Sequence, residues 1–84
     1  MDSPKQRPYT RERYPMPEDV RKALEDSGLM TRYRLRPPYQ QNDYIGWITR
    51  ARLPATRQRR LDQMLIELKE GHRYMGMDYR AKTE

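Results

Sequence analysis

Apolar side chains recur at helical spacing on both sides of Pro54, and this pattern predicts two consecutive helices. The residues of each stripe lie three or four positions apart, as one face of an α-helix requires. They are Tyr44, Trp47, Ile48 and Ala51 before the proline and Leu61, Met64, Leu65 and Leu68 after it. Proline fits the first turn of a helix and glycine fits the position after the last turn. We therefore expect one helix from Pro37 or Pro38 to about Arg52 and a second from Pro54 to Gly71.

Two shorter elements are predicted upstream. Glu18 and Asp19 follow Pro17 and suit the positive end of a helix dipole, so a helix is expected from Pro17 to Ser27. Gly28 supplies its left-handed stop. A short connecting helix or turn follows and ends before Pro37, because the residue that precedes a proline is pushed out of the α region.

The expected fold class is all-α: a small helical bundle of three main helices plus a short connecting helix, with disordered termini. Nowhere do four or more β-branched or aromatic residues alternate between turn signals, so no strand is predicted. We expect the chain to consist of a disordered arm over 1–15, a helical domain over 16–72 and a flexible tail over 73–84. Trp47 is the expected anchor of the core, whose other predicted members are Val20, Leu24, Tyr44, Ile48, Leu61, Leu65 and Leu68.

The composition limits where the protein is expected to be located and which type of partner it is expected to bind. The chain of 84 residues has a net charge of +6 and contains no cysteine, so disulfides and thiolate metal sites are excluded. No apolar run is long enough to cross a bilayer and no signal peptide is visible, which favours a cytoplasmic protein without a membrane span. The positive charge favours a partner of opposite sign, such as nucleic acid, an anionic membrane surface or an acidic protein. It is spread along the chain, whereas a dedicated nucleic-acid binder usually concentrates its charge on one face.

The residues needed for catalysis are sparse. The only serines are Ser3 and Ser27 and the only histidine is His72, so their spacing does not assemble a nucleophile, a base and an orienting group. No glycine-rich phosphate loop is present, and the carboxylates lack metal-ligand spacing. The sequence predicts that the protein is not an enzyme and has no cofactor, no catalytic residue and no metal site.

Arginine dominates the basic residues, and its densest group straddles Pro54. The planar guanidinium suits bidentate contacts to carboxylate or phosphate. We call this group the arginine corner; it comprises Arg50, Arg52, Thr56, Arg57, Arg59 and Arg60. One interpretation is an anion-binding or partner-binding site. The alternative is intramolecular pairing of these arginines with Asp43, Asp62 or Glu67.

The order and spacing of these motifs resemble the bacteriocin-protection YdeI/OmpD-associated (OmdA-like) family. The resemblance covers residues 17–71. It rests on a tyrosine, tryptophan and alanine pattern, a Thr-Arg-x-Arg-Arg-Leu segment and a helix that ends in glycine. The matching residues are Pro17 to Val20, Ala23, Leu24, Leu35, Pro38, Tyr44, Trp47, Ile48, Ala51, Thr56, Arg57, Arg59 to Leu61 and Leu68 to Gly71. Arg52 stands where the family usually has lysine and Ala55 where it often has glutamate, and both departures keep or enlarge the positive charge of the corner.

The resemblance implies a role in tolerance of bacteriocins or cationic antimicrobial peptides, and it supplies no catalytic residues. We expect a non-enzymatic interaction module that binds an acidic protein partner or anion through the arginine corner. The alternative is a small basic nucleic-acid-binding protein whose last helix lies along phosphates. The identity of the partner and the oligomeric state do not follow from the sequence.

Overall fold

Four helices and one small hairpin make up residues 13–78, the part of the chain that the computed structural model describes. The elements are α1 (Glu18–Asp26), α2 (Met30–Leu35), α3 (Pro38–Thr49), α4 (Pro54–Glu70), β1 (Arg73–Tyr74) and β2 (Met77–Asp78). The predicted all-α class, with three main helices and a short connecting one, is confirmed. The expectations for residues 1–12 and 79–84 lie outside the described residues.

The helix ends follow from local sequence. Gly28 and Gly71 have φ angles of +76° and +87°, which a side chain would strain, and they follow the ends of α1 and α4. Pro38 and Pro54 occupy the first positions of α3 and α4. Helix α3 ends at Thr49, earlier than the predicted Arg52.

The core lies between α1, α3 and α4, and α2 closes one end. Six of the eight predicted core residues are buried, namely Val20, Leu24, Tyr44, Ile48, Leu61 and Leu68. Trp47 and Leu65 are only half-buried and pack against the edge of this cluster. Trp47, the expected anchor, thus packs against the core from its edge, whereas Tyr44 and Ile45 are fully buried within it.

No strand was predicted, and the structure corrects this within its described range with a small hairpin at the start of the predicted tail. Strands β1 and β2 pair antiparallel, with Arg73 opposite Asp78 and Tyr74 opposite Met77. Each strand has two residues, too few for an alternating pattern to be visible. The turn uses positive φ angles at Met75 and Gly76.

A buried carboxylate holds this hairpin against α4. Glu67 accepts hydrogen bonds from the amides of Met75 (2.8 Å) and Gly76 (2.7 Å), from Gln63 Nε2 (3.0 Å) and from the Tyr44 hydroxyl (2.5 Å). Burial raises the pKa of Glu67, but these donors outweigh it and hold that pKa below its usual value. The charged form of Glu67 is therefore a structural component of the fold.

Two arginines, Arg32 in α2 and Arg36 directly after it, donate hydrogen bonds to backbone carbonyl groups at the end of α4 and in β1. Arg32 Nη1 donates to the Lys69 carbonyl over 2.5 Å. Arg36 Nη2 donates to the carbonyls of Glu67 (3.1 Å) and Arg73 (2.8 Å), and its side chain is buried. The end of α4 is thus tied to α2 and to the hairpin.

Tyr14, which the predicted division assigns to the arm, contacts α3. The Tyr14 amide donates to Asn42 Oδ1 over 2.8 Å, and its half-buried ring lies against Gly46. A Cβ atom on Gly46 would lie 2.6 Å from Tyr14 Cε2. The glycine in α3 permits this approach of an aromatic ring.

Candidate anion-binding corner

The amino end of α4 forms the centre of the arginine corner, and this helix end has no capping side chain. Its N-cap residue is Leu53, which makes no side-chain hydrogen bond, and no acidic residue lies in the first turn. Pro54 lacks an amide proton, and the amide of Arg57 donates to the Leu53 carbonyl over 3.0 Å. The amides of Ala55 and Thr56 belong to the first turn, where a helix offers them no acceptor. These amides and the helix dipole favour a negative group.

Arg57 is engaged inside the molecule. Its Nη2 lies 3.1 Å from Asp19 Oδ1, and its Nε lies 3.3 Å from Asp19 Oδ2. The hydrogen bond from Arg57 lowers the pKa of Asp19. This bidentate pair joins the first turn of α1 to the first turn of α4.

Arg60 is also engaged. Its Nη1 donates to the Trp47 carbonyl over 2.6 Å, and its guanidinium carbon lies 5.3 Å from the centroid of the Trp47 ring. The first contact satisfies a carbonyl near the end of α3, and the second is a cation–π contact. Arg60 therefore fixes α3 against α4.

The intramolecular alternative thus holds for two of the arginines, but the partners predicted for them are wrong. Asp62 accepts a hydrogen bond from Gln58 Nε2 at 2.8 Å, and Asp43 accepts one from the Tyr74 hydroxyl. Glu67 is occupied by the hairpin contacts described above. Sequence spacing predicted acidic partners on α3 and α4, whereas in the folded chain the acidic partner of Arg57 is Asp19 on α1.

Three exposed arginines of the corner remain: Arg50, Arg52 and Arg59. No carboxylate of residues 13–78 forms an ion pair with any of them. Arg50 and Arg52 lie in the segment between α3 and α4. Arg59 lines a shallow groove along the outer side of α4, which it shares with Ile66 and Arg73. Thr56 is half-buried in the first turn.

Other chemical groups of the described chain do not assemble into a site. Ser27 Oγ donates to the Leu24 carbonyl over 3.2 Å, and exposed His72 lies beyond the end of α4. No three histidine, cysteine or acidic side chains converge within residues 13–78. Over the same range, no helix is both long and apolar enough to cross a membrane. Ser3 lies outside the described residues.

A sequence model of the family described as "Bacteriocin-protection, YdeI or OmpD-Associated" (OmdA) matches residues 13–71. The chain belongs to the OmdA family. No curated protein and no solved structure matches it. The matched range begins beside Tyr14 and ends at Gly71, so it includes the four helices of the described part of this OmdA protein and the whole arginine corner. The hairpin lies beyond it.

Sequence reasoning overlooked the charged residues that hold the OmdA fold together. Glu67 stands between Met64 and Leu68, inside the apolar stripe of α4, and a carboxylate at such a position predicts buried partners. Arg36 gave a weaker signal, because it precedes two prolines in what reads as a loop. Asp19 was predicted only to interact with the helix dipole of α1. Its pairing with Arg57 could not be predicted from local spacing, because the two residues are 38 positions apart.

Proposed function

We propose that this OmdA protein is a non-enzymatic interaction module that binds an acidic protein partner through the amino end of α4. The observation that carries the proposal is the uncapped amino end of α4, preceded in the chain by two exposed arginines, Arg50 and Arg52. Neither arginine forms an ion pair with a carboxylate of residues 13–78. The family description speaks of OmpD association, and a binding module fits such a role.

The positive charges of the arginine corner favour a ligand that carries carboxylate or sulfate groups. Guanidinium groups pair with carboxylates through parallel N–H donors, and the first-turn amides of α4 add donors and a positive partial charge. The surface is open to solvent, so salt screens it. A single carboxylate or sulfate should therefore bind with about 4–6 kcal/mol, a dissociation constant in the high-micromolar to millimolar range.

An amide-resolved NMR titration tests the site. Sulfate and an acetylated hexaglutamate peptide should each shift the amides of Ala55, Thr56 and Arg57, and added chloride should reduce the shifts. Replacing both Arg50→Gln and Arg52→Gln should weaken binding several-fold. Substituting Arg57 or Arg60 is unsuitable here, because both residues hold helices together.

A charge-matched control separates a site from general attraction. Lys22→Gln combined with Arg34→Gln removes the same charge from exposed positions outside the corner and should leave binding unchanged. Equal losses in the two double variants would show diffuse attraction and contradict the proposal. A DNA duplex that binds with a log–log salt slope steeper than about −3 would make nucleic acid the partner instead.

A further inference from the structure

A groove with an apolar floor and a basic rim lies at the other end of α4. It has a volume of about 380 Å³ and runs between the turn that joins α1 to α2 and the last turns of α4. Leu29, Leu65 and Ile66 supply its apolar lining, and Arg32 and Lys69 supply its cations. Along α4, Lys69 is fifteen residues from Pro54, about 22 Å in a helix. The groove is therefore separate from the arginine corner.

The apolar lining is only partly explained by the core, in which Leu29 is buried and against which Leu65 packs. Ile66 is 56% exposed, and Leu65 is half-buried although Leu61 and Leu68 on the same helix are buried. Gly28 lies on the groove wall, where a Cβ atom would meet no neighbour within 4 Å. Aliphatic surface thus remains accessible in a concave site, where a second apolar side chain could be shielded from water.

The rim carries the two positive charges of Arg32 and Lys69. Within residues 13–78, neither Arg32 nor Lys69 forms an ion pair with a carboxylate. The neighbouring acids are engaged elsewhere: Asp26 lies 3.3 Å from Lys22 Nζ, and Glu70 lies 4.0 Å from Arg73 Nε. The Arg32 guanidinium is held in place by its hydrogen bond to the Lys69 carbonyl, so its position does not have to be ordered by a ligand.

We propose that this groove docks an acidic amphipathic segment of a protein partner. One aliphatic side chain of the segment packs against Leu29, Leu65 and Ile66, while flanking carboxylates pair with Arg32 and Lys69. Charge complementarity selects this occupant. A second copy of the chain, which also carries +6, would bring net repulsion to a basic rim.

The test uses three blocked hexapeptides and calorimetry together with amide shifts. The first is Asp-Glu-Leu-Leu-Glu-Asp, the second has serine for leucine, and the third has asparagine and glutamine for the acids. We expect the first to bind, with shifts centred on Leu65, Ile66 and Lys69, and the other two to bind at least about fivefold more weakly, since each lacks one of the two contributions. Equal binding of the serine peptide would overturn the inference.

Matched variants locate the peptide. Ile66→Gln and Lys69→Gln should each weaken binding of the leucine peptide about fivefold. Leu53→Gln, at a residue that is 65% exposed at the opposite end of α4, and Arg34→Gln, at an exposed position outside the groove lining, should leave it unchanged. Arg32 is kept because it caps α4. Equal losses from Ile66→Gln and Leu53→Gln would contradict a localised groove.

Two further outcomes distinguish this inference from the proposed function. If the corner variant carrying Arg50→Gln and Arg52→Gln abolishes binding of the leucine peptide while the groove variants do not change it, the groove inference fails and the corner proposal stands. If the sulfate-induced shifts of Ala55 and Thr56 persist in every variant, including the one that carries Arg50→Gln and Arg52→Gln, the corner proposal fails and the groove inference is unaffected. If the Ile66 amide shifts with protein concentration in the absence of peptide, the groove binds a second copy of the chain. If the protein binds anionic vesicles but not the peptide, the groove binds a membrane. Either result overturns the inference.

Discussion

Tyr44 donates its hydroxyl proton to Glu67 Oε1 over 2.5 Å, and both side chains are buried between α3 and α4. Burial raises the pKa of Tyr44, so the phenol stays protonated and remains a donor at neutral pH. The same carboxylate accepts the amides of Met75 and Gly76. Glu67 consequently links the helical core to the hairpin through one charged group.

Replacing this carboxylate with an amide should destabilise the protein. In Glu67→Gln, the new NH₂ group would face donors instead of accepting from them, which leaves buried N–H or O–H groups unsatisfied. We expect a loss of about 2–3 kcal/mol in the free energy of unfolding, measured by urea denaturation. Glu70→Gln, an exposed change on the same helix, should stay within about 0.5 kcal/mol of the wild type. Similar small effects of both substitutions would mean that the Glu67 contacts contribute little.

The pH dependence of stability should carry the signature of Glu67. Its folded-state pKa is lowered, so the group contributes stability above its unfolded pKa of about 4.3, and this contribution is lost as the pH falls through the folded pKa. The difference in unfolding free energy between wild type and Glu67→Gln should therefore be greatest near neutral pH and shrink below about pH 4. Urea midpoints measured from pH 2 to 7 provide the check. A difference that does not vary over that range would contradict the lowered pKa.

Arg60 and its neighbour Arg59 form a natural pair for testing the corner's structural role. Arg60→Gln should cost about 1–2 kcal/mol, because it removes both the ring contact with Trp47 and the hydrogen bond to the Trp47 carbonyl. Trp47 is the only tryptophan, so its fluorescence should change with the same substitution. Arg59→Gln removes the same charge from an exposed site and should alter neither quantity. Identical emission spectra for Arg60→Gln and wild type would contradict the contact between the Arg60 guanidinium and the Trp47 ring.

Arg57 and Asp19 should show a modest energetic coupling. Their bidentate contact joins α1 to α4, but the Asp19 side chain is largely exposed, so water and salt screen it. A double-mutant cycle with Arg57→Gln and Asp19→Asn should give a coupling energy of about 0.2–1 kcal/mol that decreases with added salt. A coupling near zero at low salt would show that the pair does not join the helices energetically.

The helices were predictable because local rules fix them. Proline at Pro38 and Pro54, glycine at Gly28 and Gly71 and a stripe of period 3.6 are short-range signals, and they predicted every helix. The end of α3 was misplaced because nothing in the sequence marks it as strongly as a glycine does. The hairpin was missed because its stability comes from the distant Glu67 and not from its own residues.

The arginine corner was predictable only as a cluster. Spacing located the cations, but which of them are occupied depends on which helices pack together. Arg57 meets Asp19 and Arg60 meets the Trp47 carbonyl, contacts that span 38 and 13 positions. The groove at the other end of α4 was invisible for the same reason, since its lining comes from the α1–α2 turn, α2 and α4.

Gly46 and Tyr14 give a test of how the amino-terminal segment is attached. An alanine Cβ at position 46 would lie 2.6 Å from Tyr14 Cε2 and 3.1 Å from Arg50 Nη1, so the tyrosine ring would have to move. Alanine also favours the helix by about 1 kcal/mol relative to glycine. In Gly46→Ala, that gain should be offset by the loss of the packing of Tyr14, which costs about 1–2 kcal/mol.

A double-mutant cycle separates these two effects. In a Tyr14→Ala background the ring is absent, so Gly46→Ala should raise the unfolding free energy by about 1 kcal/mol. In the wild-type background the same substitution should be neutral or destabilising, and the amide resonance of Asn42 should shift as the Tyr14 contact is lost. The coupling energy should then be about 1–2 kcal/mol. Equal stabilisation by Gly46→Ala in both backgrounds would show that Tyr14 is not docked on α3, because a docked ring would collide with the new Cβ atom only in the wild-type background.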